Sequence, residues 1–188
     1  MINSKYYQND ALTLAPDLVG KLLVRKYNGV ELVSRITETE AYIGVKDKAS
    51  HAYNNRRTKR TEVMYKRGGY AYIYMIYGMY YCLNIVAGKE QSPEAVLIRA
   101  VEPVKGCEIM KKNRGYNKNN LKELSNGPGK LCIAMNIDLS LNGYNLVKGE
   151  ELCIEDDGFN CQVLNSPRIN IDYAGEYRDK PWRFILKY

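Results

Sequence analysis

The segment ITETEAY, residues 36–42, sets two carboxylates, Glu38 and Glu40, two positions apart. In an extended strand such residues project from one face, roughly 7 Å from one another. Two carboxylates at about that separation suit hydrolysis of a glycosidic bond, one activating water as a base and the other protonating the leaving group. The spacing also fits something plainer: one buried glutamate paired with an arginine and one at a strand edge. The pair alone leaves both readings open, and structural ion pairs are the commoner case. Arg99 bears on the choice because it interrupts an otherwise apolar run, AVLIRAV, where an arginine needs an anionic partner. Glu40 is a candidate, either in a plain ion pair or with a water held between the two.

The only histidine, His51, lies in KASHAY. A lone histidine is usually structural, but an imidazole near a phenol such as Tyr42 can stack on a flat substrate or bond a phosphate. Six tyrosines surround one glycine in YAYIYMIYGMYYCLNIV, residues 70–86. Tyrosines on alternate positions most simply pack a core. A stiff hairpin with an aromatic tip can also enter a duplex and unstack a base step, and an extruded base needs aromatic faces to lie against. Tyr77 at the tip and Tyr74 deeper in fit those two tasks separately.

The elements that position these residues are legible in outline. Asn28-Gly29 sits between two extended runs, LLVRKY and VELVSRITETEAY, and suits a turn with positive φ at both central positions. Alternation places Leu32, Ser34, Ile36, Glu38, Glu40 and Tyr42 on one face, so both glutamates point inward with Leu32 and Ile36 unless a bulge intervenes. A second hairpin turns at Tyr77-Gly78. It sets Tyr70, Tyr72, Tyr74 and Ile76 on one face going out, and Tyr80, Cys82, Asn84 and Val86 on one face coming back. AVLIRAVEP reads as a further strand. PDLVGKLLV reads as a short helix from Pro16-Asp17 running into a strand; KGCEIMKKN and NNLKEL read as helical. NGPGKLCIAMNI starts a helix after a Gly-Pro-Gly turn, with backbone N–H groups free at its N-terminus. Residues 46–69 read as a basic loop with one helical turn near Arg60–Met64, and the C-terminal third as strands and loops. The sum is an α+β fold, a single domain over 1–188 with a mostly antiparallel, strand-rich sheet, packed helices and a protruding hairpin.

The chain has 188 residues, enough for one domain with a real core, and its 45% apolar content marks it as globular. It holds 17 Tyr against 2 Phe, a bias that suits a half-wet aromatic surface better than a purely apolar core. The net charge of +7 is clustered. Arg56, Arg57, Lys59, Arg60, Lys66 and Arg67 form one group, and Lys105, Lys111, Lys112, Arg114, Lys118 and Lys122 another, whereas EELCIEDDG is acidic. Such clusters suit a polyanion or simply a solvated basic face. Five cysteines without a CxxC pair read as reduced thiols, and a single histidine argues against a zinc site. No apolar run reaches membrane length and no signal-peptide pattern opens the chain, so the expectation is a cytoplasmic protein without a membrane partner.

Five segments, ITETEAYIGVKDKASHAY, RRTKRTEVMY, YAYIYMIYGMYYCLNIV, VLIRAVEPVKG and LSNGPGKLCIAMNID, together resemble the alkyladenine (3-methyladenine) DNA glycosylase family. Order and spacing match from about Leu14 to RINIDYAGEYRDKPWRF, nearly the whole chain. The resemblance implies a DNA glycosylase that flips alkylated or deaminated purines out of duplex DNA and hydrolyses them off. Glu40 would activate water. Arg99 would help hold that water, with a backbone carbonyl near Ile169, and would keep the Glu40 pKa from rising. Tyr42, His51 and Tyr74 would sandwich the extruded purine, backbone groups from Ala49 to His51 would read its edge, and Tyr77 would fill the gap in the duplex. Asn84 would disfavour the 2-amino group of normal guanine by its bulk. Arg56, Arg57, Lys59, Arg60 and Lys130, with the NGPGK helix start, would contact phosphates. Glu38 receives no chemical role, and no metal or other cofactor is implied. A monomer acting on double-stranded DNA with a damaged purine is expected. Two other functions fit parts of the pattern: a non-catalytic nucleic-acid-binding module stacking bases on the tyrosine hairpin, and a small-molecule glycosidase using both carboxylates.

Overall fold

The computed structural model describes residues 2–188. Eight strands form one antiparallel sheet: β1 (Leu22–Tyr27), β2 (Val30–Tyr42), β3 (Ala71–Ile76), β4 (Tyr80–Ala87), β5 (Glu94–Lys105), β6 (Leu152–Glu155), β7 (Gln162–Ser166) and β8 (Arg183–Lys187). The main path runs β3-β4-β5-β2-β1-β6, while β8 pairs with both β2 and β7. Asn28 and Gly29 have φ of 48° and 73°, and Tyr77 and Gly78 have 52° and 68°, so both hairpins turn where the sequence places them. Three short helices, α1 (Ala11–Leu18), α2 (Cys107–Arg114) and α3 (Pro128–Ala134), complete the α+β fold. No helix among the described residues is long and apolar enough to cross a membrane.

Two local expectations differ from the structure, and a third holds with its turn shifted by two residues or fewer. The first helix starts at Ala11, capped by the Asp10 carboxylate, which accepts from the Thr13 N–H at 2.8 Å, and Pro16 sits in its last turn. NNLKEL forms only a three-residue 3-10 turn, Leu121–Glu123. The turn expected near Arg60–Met64 is a 3-10 segment over Glu62–Tyr65.

One face of the sheet carries the core. Leu14 and Leu18 of α1, Met110 of α2 and Leu131 of α3 bury against Leu23, Leu32, Ile36, Ile73, Leu83, Ile85, Val96 and Ile98. The other face holds the complementary set from the same strands: Tyr72 and Tyr74, Cys82 and Asn84, Ala95, Leu97 and Arg99. The loop between β2 and β3 folds over this second face, burying Ala52 and Met64 against Tyr72, Val86 and Ala95.

A paired irregularity decides where the glutamates point. Ile36 pairs with Val101, Glu38 with Ala100 and Thr39 with Ile98, so β2 and β5 each step by one extra residue at the same place. The core-facing phase therefore jumps from Ile36 to Thr39 and Ala41 on β2, and from Val101 to Ile98 on β5. Thr39 confirms its side by donating its hydroxyl to the Ala15 carbonyl of α1 at 2.8 Å. Glu38, Glu40, Tyr42 and Arg99 are thereby turned away from the helices and toward the aromatic face. Had the strand run regularly, both carboxylates would lie under α1.

Candidate active site

A cavity of about 380 Å³ opens on the aromatic face. Strands β2 to β5 supply Glu40, Tyr42, Tyr72, Tyr74, Asn84, Leu97 and Arg99; the loop after β2 supplies Ala49 and His51; the loop after β7 supplies Ile169 to Ile171 and Tyr173. Tyr77 reaches its rim from the hairpin tip, and Pro128 borders it at the start of α3. All eight residues expected to do chemistry, bind a base or enter the duplex thus line one space.

Glu40 is wholly inaccessible to solvent. Its Oε1 accepts from the Ile169 backbone N–H at 2.9 Å, and its Oε2 from the Tyr42 hydroxyl at 2.8 Å. The Arg99 Nη1 stands 3.6 Å from Oε1. Three donors on two oxygens favour a carboxylate over a carboxylic acid. Burial nonetheless raises the Glu40 pKa above the ordinary carboxylate range, with Arg99, the Ile169 N–H and Tyr42 acting against it and Glu38 adding to it. This corrects the expectation that Arg99 would hold the value down. The reason is geometric: the Arg99 Nε is bonded to Glu38 at 2.9 Å, so the guanidinium leans toward Glu38 and touches Glu40 only at its far end. The expectation of a carbonyl at Ile169 also shifts, since it is the Ile169 amide that meets Glu40.

Glu38 is not at the strand edge. Its Oε1 accepts from both Arg99 and Arg183, each at 2.9 Å. The second carboxylate of the motif is thus tied between two arginines and is absent from the cavity lining.

The aromatic residues are mutually braced. His51 Nδ1 lies 2.9 Å from the Tyr72 hydroxyl, and its ring meets that of Tyr74 edge-on at 4.6 Å. Burial, then Arg60 and Arg56, lower the His51 pKa to about 4, so the imidazole is neutral at physiological pH. Burial raises Tyr42 well above its ordinary value and Tyr72 to about 12, so both stay protonated phenols. Asn84 spends its Nδ2 on the carbonyls of Tyr72 at 3.1 Å and Cys82 at 3.4 Å, which fixes its amide in the wall. The turn meant to read a base edge is partly occupied. The Ala49 N–H donates to Asp47 Oδ1 and the Ser50 N–H to the Asp47 carbonyl, so both amides are already engaged within the turn.

The basic residues divide. Arg56 and Lys59 are exposed, and the Arg60 guanidinium lies 4.8 Å from the Tyr74 ring centre. Arg57 is engaged by Glu62 at 2.6 Å and by Gln91 at 2.8 Å, and stacks on Tyr65, so it must exchange partners to take a phosphate. Lys130 is exposed on α3 and bonds Asn126 at 2.8 Å.

Arg168 escaped the sequence reading. Its side chain is fully buried, paired bidentately with buried Asp47 at 2.6 and 2.9 Å, and its guanidinium lies between the rings of Tyr42, at 4.7 Å, and Trp182, at 5.0 Å. Nothing local in SPRIN marks it, because its partner lies 121 residues away.

Comparison with known proteins bears on this geometry. A family model described as methylpurine-DNA glycosylase (MPG) matches residues 5–188. A protein of Natranaerobius thermophilus is 53% identical over 99% of this chain and 95% of its own length. One of Alkaliphilus oremlandii is 50% identical over 99% and 95%, and one of Clostridium novyi 48% over 99% and 94%. All three carry, provisionally, the name 3-methyladenine DNA glycosylase. A match along nearly the full length leaves one assignment: this protein belongs to the methylpurine-DNA glycosylase family and is a DNA-repair hydrolase of N-glycosidic bonds in DNA.

Proposed function

We propose that this enzyme acts as a monomer on duplex DNA, flips alkylated or deaminated purines of the 3-methyladenine, 7-methylguanine and hypoxanthine type into the cavity, and hydrolyses them off to leave an abasic site. The observation that carries the reading is Glu40, a wholly buried carboxylate facing an aromatic cavity. In a binding module for a polyanion such a group would only weaken affinity. In a hydrolase it takes a proton from water as the water oxygen bonds C1′, while the electrons of the N-glycosidic bond leave with the purine. Positive charge grows on the sugar in that step, and an anion held in place stabilises it by roughly 3–4 kcal/mol. A purine alkylated at N3 or N7 departs as a neutral molecule and so leaves readily, whereas hypoxanthine departs as an anion that then takes a proton from water. A neutral His51 between Tyr72 and Tyr74 adds no positive charge against such a cationic base. Among the described residues lining the cavity there is no lysine to form a Schiff base, which supports a monofunctional reaction without strand cleavage.

The test is incubation with duplex DNA bearing one hypoxanthine or one N-alkylated purine, followed by assay for free base. Release is expected, with an intact strand until alkali is added; tight binding without release would establish the non-catalytic module instead. Tyr77 allows a separate check of flipping. It is 80% exposed at the hairpin tip, so Tyr77→Ala removes little packing. If its ring fills the vacated stack it is worth about 1–3 kcal/mol, so the variant should release base roughly 5- to 150-fold more slowly under single-turnover conditions, with an unchanged melting temperature. A fluorescent base analogue at the lesion should show reduced flipping. An unimpaired Tyr77→Ala would remove the wedge from the scheme.

A further inference from the structure

The site contains a carboxylate that the proposed chemistry leaves idle. We infer that Glu38 is a positioning residue that, with Arg183, sets the alignment of Glu40 from two sides. The inference rests on the reading of Glu40 as the base.

The contacts form a closed circuit. Glu38 Oε1 accepts from Arg99 Nε at 2.9 Å, and Arg99 Nη1 reaches Glu40 Oε1 at 3.6 Å. The same Glu38 oxygen accepts from Arg183 Nη1 at 2.9 Å. Arg183 also donates from Nε to the Pro167 carbonyl at 2.9 Å and from Nη2 to Ser166 Oγ at 3.0 Å. Two residues further along that loop, the Ile169 N–H bonds Glu40 Oε1 at 2.9 Å. One anion thus restrains both groups that meet Glu40 Oε1: the guanidinium directly and the amide through Arg183. All three side chains are less than a fifth exposed, so the bonds are only partly screened.

The arrangement keeps Arg99 from closing on Glu40. A full Arg99–Glu40 salt bridge would occupy the oxygen, lower its basicity and fill the place where a water must sit. With Glu38 holding the Nε edge, Arg99 lends partial charge at a distance. The groups facing Glu40 from each neighbouring element are Glu38 and Tyr42 on β2, Tyr74 on β3, Cys82 on β4, Arg99 on β5, Arg183 on β8, and Arg168 and Tyr173 on the loop after β7. Of these, Arg99, Arg168, Arg183 and Glu38 carry charge at neutral pH.

Glu38→Gln keeps shape and one acceptor but removes the anion. Arg99 then turns to its other carboxylate partner, Glu40. Arg183→Gln has the opposite electrostatic effect: a cation is lost near Glu40, and the Ile169 loop loses its tether. The experiment is single-turnover release of hypoxanthine from duplex DNA by the full chain from pH 5 to 8.5, with wild type, Glu38→Gln, Arg183→Gln and Glu40→Gln side by side and melting temperatures alongside. Both positioning variants should be roughly 10- to 100-fold slower at pH 7.5, the range of one charge-assisted hydrogen bond. The acid limb of the rate profile should move to lower pH in Glu38→Gln and to higher pH in Arg183→Gln. These opposed shifts are something a loss of fold would not produce. Slower rates with unmoved acid limbs, or rates equal to wild type, overturn the inference. A Glu38→Gln enzyme as inactive as Glu40→Gln overturns it too, since Glu38 would then be one of two reacting carboxylates. Failure of the underlying reading is distinct: wild type would release no base, or Glu40→Gln would release it at the wild-type rate.

Discussion

Glu40→Gln should slow base release by about 10²–10⁴-fold, the range for loss of a general base, while melting at a higher temperature than the wild type at pH 7.5. The two effects have one cause. Burial raises the Glu40 pKa, so the folded state holds the carboxylate against a solvation penalty that the unfolded chain does not bear. The amide fits the same site: its oxygen accepts from the Ile169 N–H and its NH₂ donates to the Tyr42 oxygen, which reverses that hydrogen bond and turns the Tyr42 O–H toward the cavity it lines. Arg99 keeps Glu38 as its partner. Binding to lesion-bearing duplex should therefore survive the substitution, and removal of a negative charge beside DNA should strengthen it.

The stability difference between the two proteins depends on pH. For a carboxyl group whose folded pKa lies above its unfolded value, the native state binds the extra proton between the two values. Its contribution destabilises the fold as pH rises through that window, and the full cost stands above it. The stability advantage of Glu40→Gln should accordingly be present at pH 7–8 and vanish below about pH 4.5, the unfolded carboxyl value. His51 acts in the opposite sense. Its folded pKa of about 4 lies below the unfolded 6.5, so it lowers stability as pH falls from 6.5 toward 4. It does so equally in both proteins, and the difference between them isolates Glu40. In activity, the wild type should lose rate on acidification through the Glu40 pKa, above the ordinary carboxylate range. His51 contributes nothing there until about pH 4. Equal melting curves at pH 7.5 would show that the carboxylate is better solvated than its burial indicates.

Most of the fold that positions the site was legible locally. Asn28-Gly29 announces a hairpin because few dipeptides tolerate positive φ twice in succession, Tyr77-Gly78 by its place between two extended runs, and both turns are realised. Alternation on β3 and β4 then assigns Tyr72, Tyr74, Cys82 and Asn84 to one face without further information. The bulge was not legible. Thr37 and Arg99 have ordinary strand neighbours, and the extra residue on each strand exists only because the other strand carries one opposite it. The same limit hid the closer partner of Arg99. Glu40, the candidate the sequence offers, does stand 3.6 Å from Nη1, but the paired bulges bring Glu38 to 2.9 Å at the Nε edge. Pro16-Asp17 resembles a helix start and so points to the proline as the first residue of α1. The working cap is Asp10, six residues earlier, where a carboxylate precedes an apolar-periodic stretch. Arg168 and Asp47 are unremarkable residues in loops, and only the tertiary fold makes them a pair.

That pair supports the second large effect. Arg168→Met should destabilise the protein by about 3–5 kcal/mol, because Asp47 would remain as a buried charge without a counterion. For a chain of this size the melting temperature falls by about 2–4 °C per kcal/mol, so a drop of roughly 10 °C is expected. Asp47→Asn should be damaging for the converse reason, stranding a guanidinium with no solvent access. The double variant Arg168→Met, Asp47→Asn should be markedly more stable than the sum of the single effects implies, since no unpaired charge remains and the asparagine oxygen still accepts from the Ala49 N–H. Activity should not recover with stability. Arg168 bonds the Ala41 carbonyl at 3.0 Å, underlies the Tyr42 ring, and immediately precedes Ile169, whose amide orients Glu40. A Met side chain supplies bulk there but no fork of donors to join the end of β2, the 47–49 turn and the loop after β7. The expected signature is a double variant that melts near the wild type yet releases hypoxanthine slowly, with its loss in kcat and little change in duplex affinity. Strictly additive destabilisation, or full activity in the double variant, would show that the buried ion pair neither depends on its two charges nor sets the geometry at Glu40.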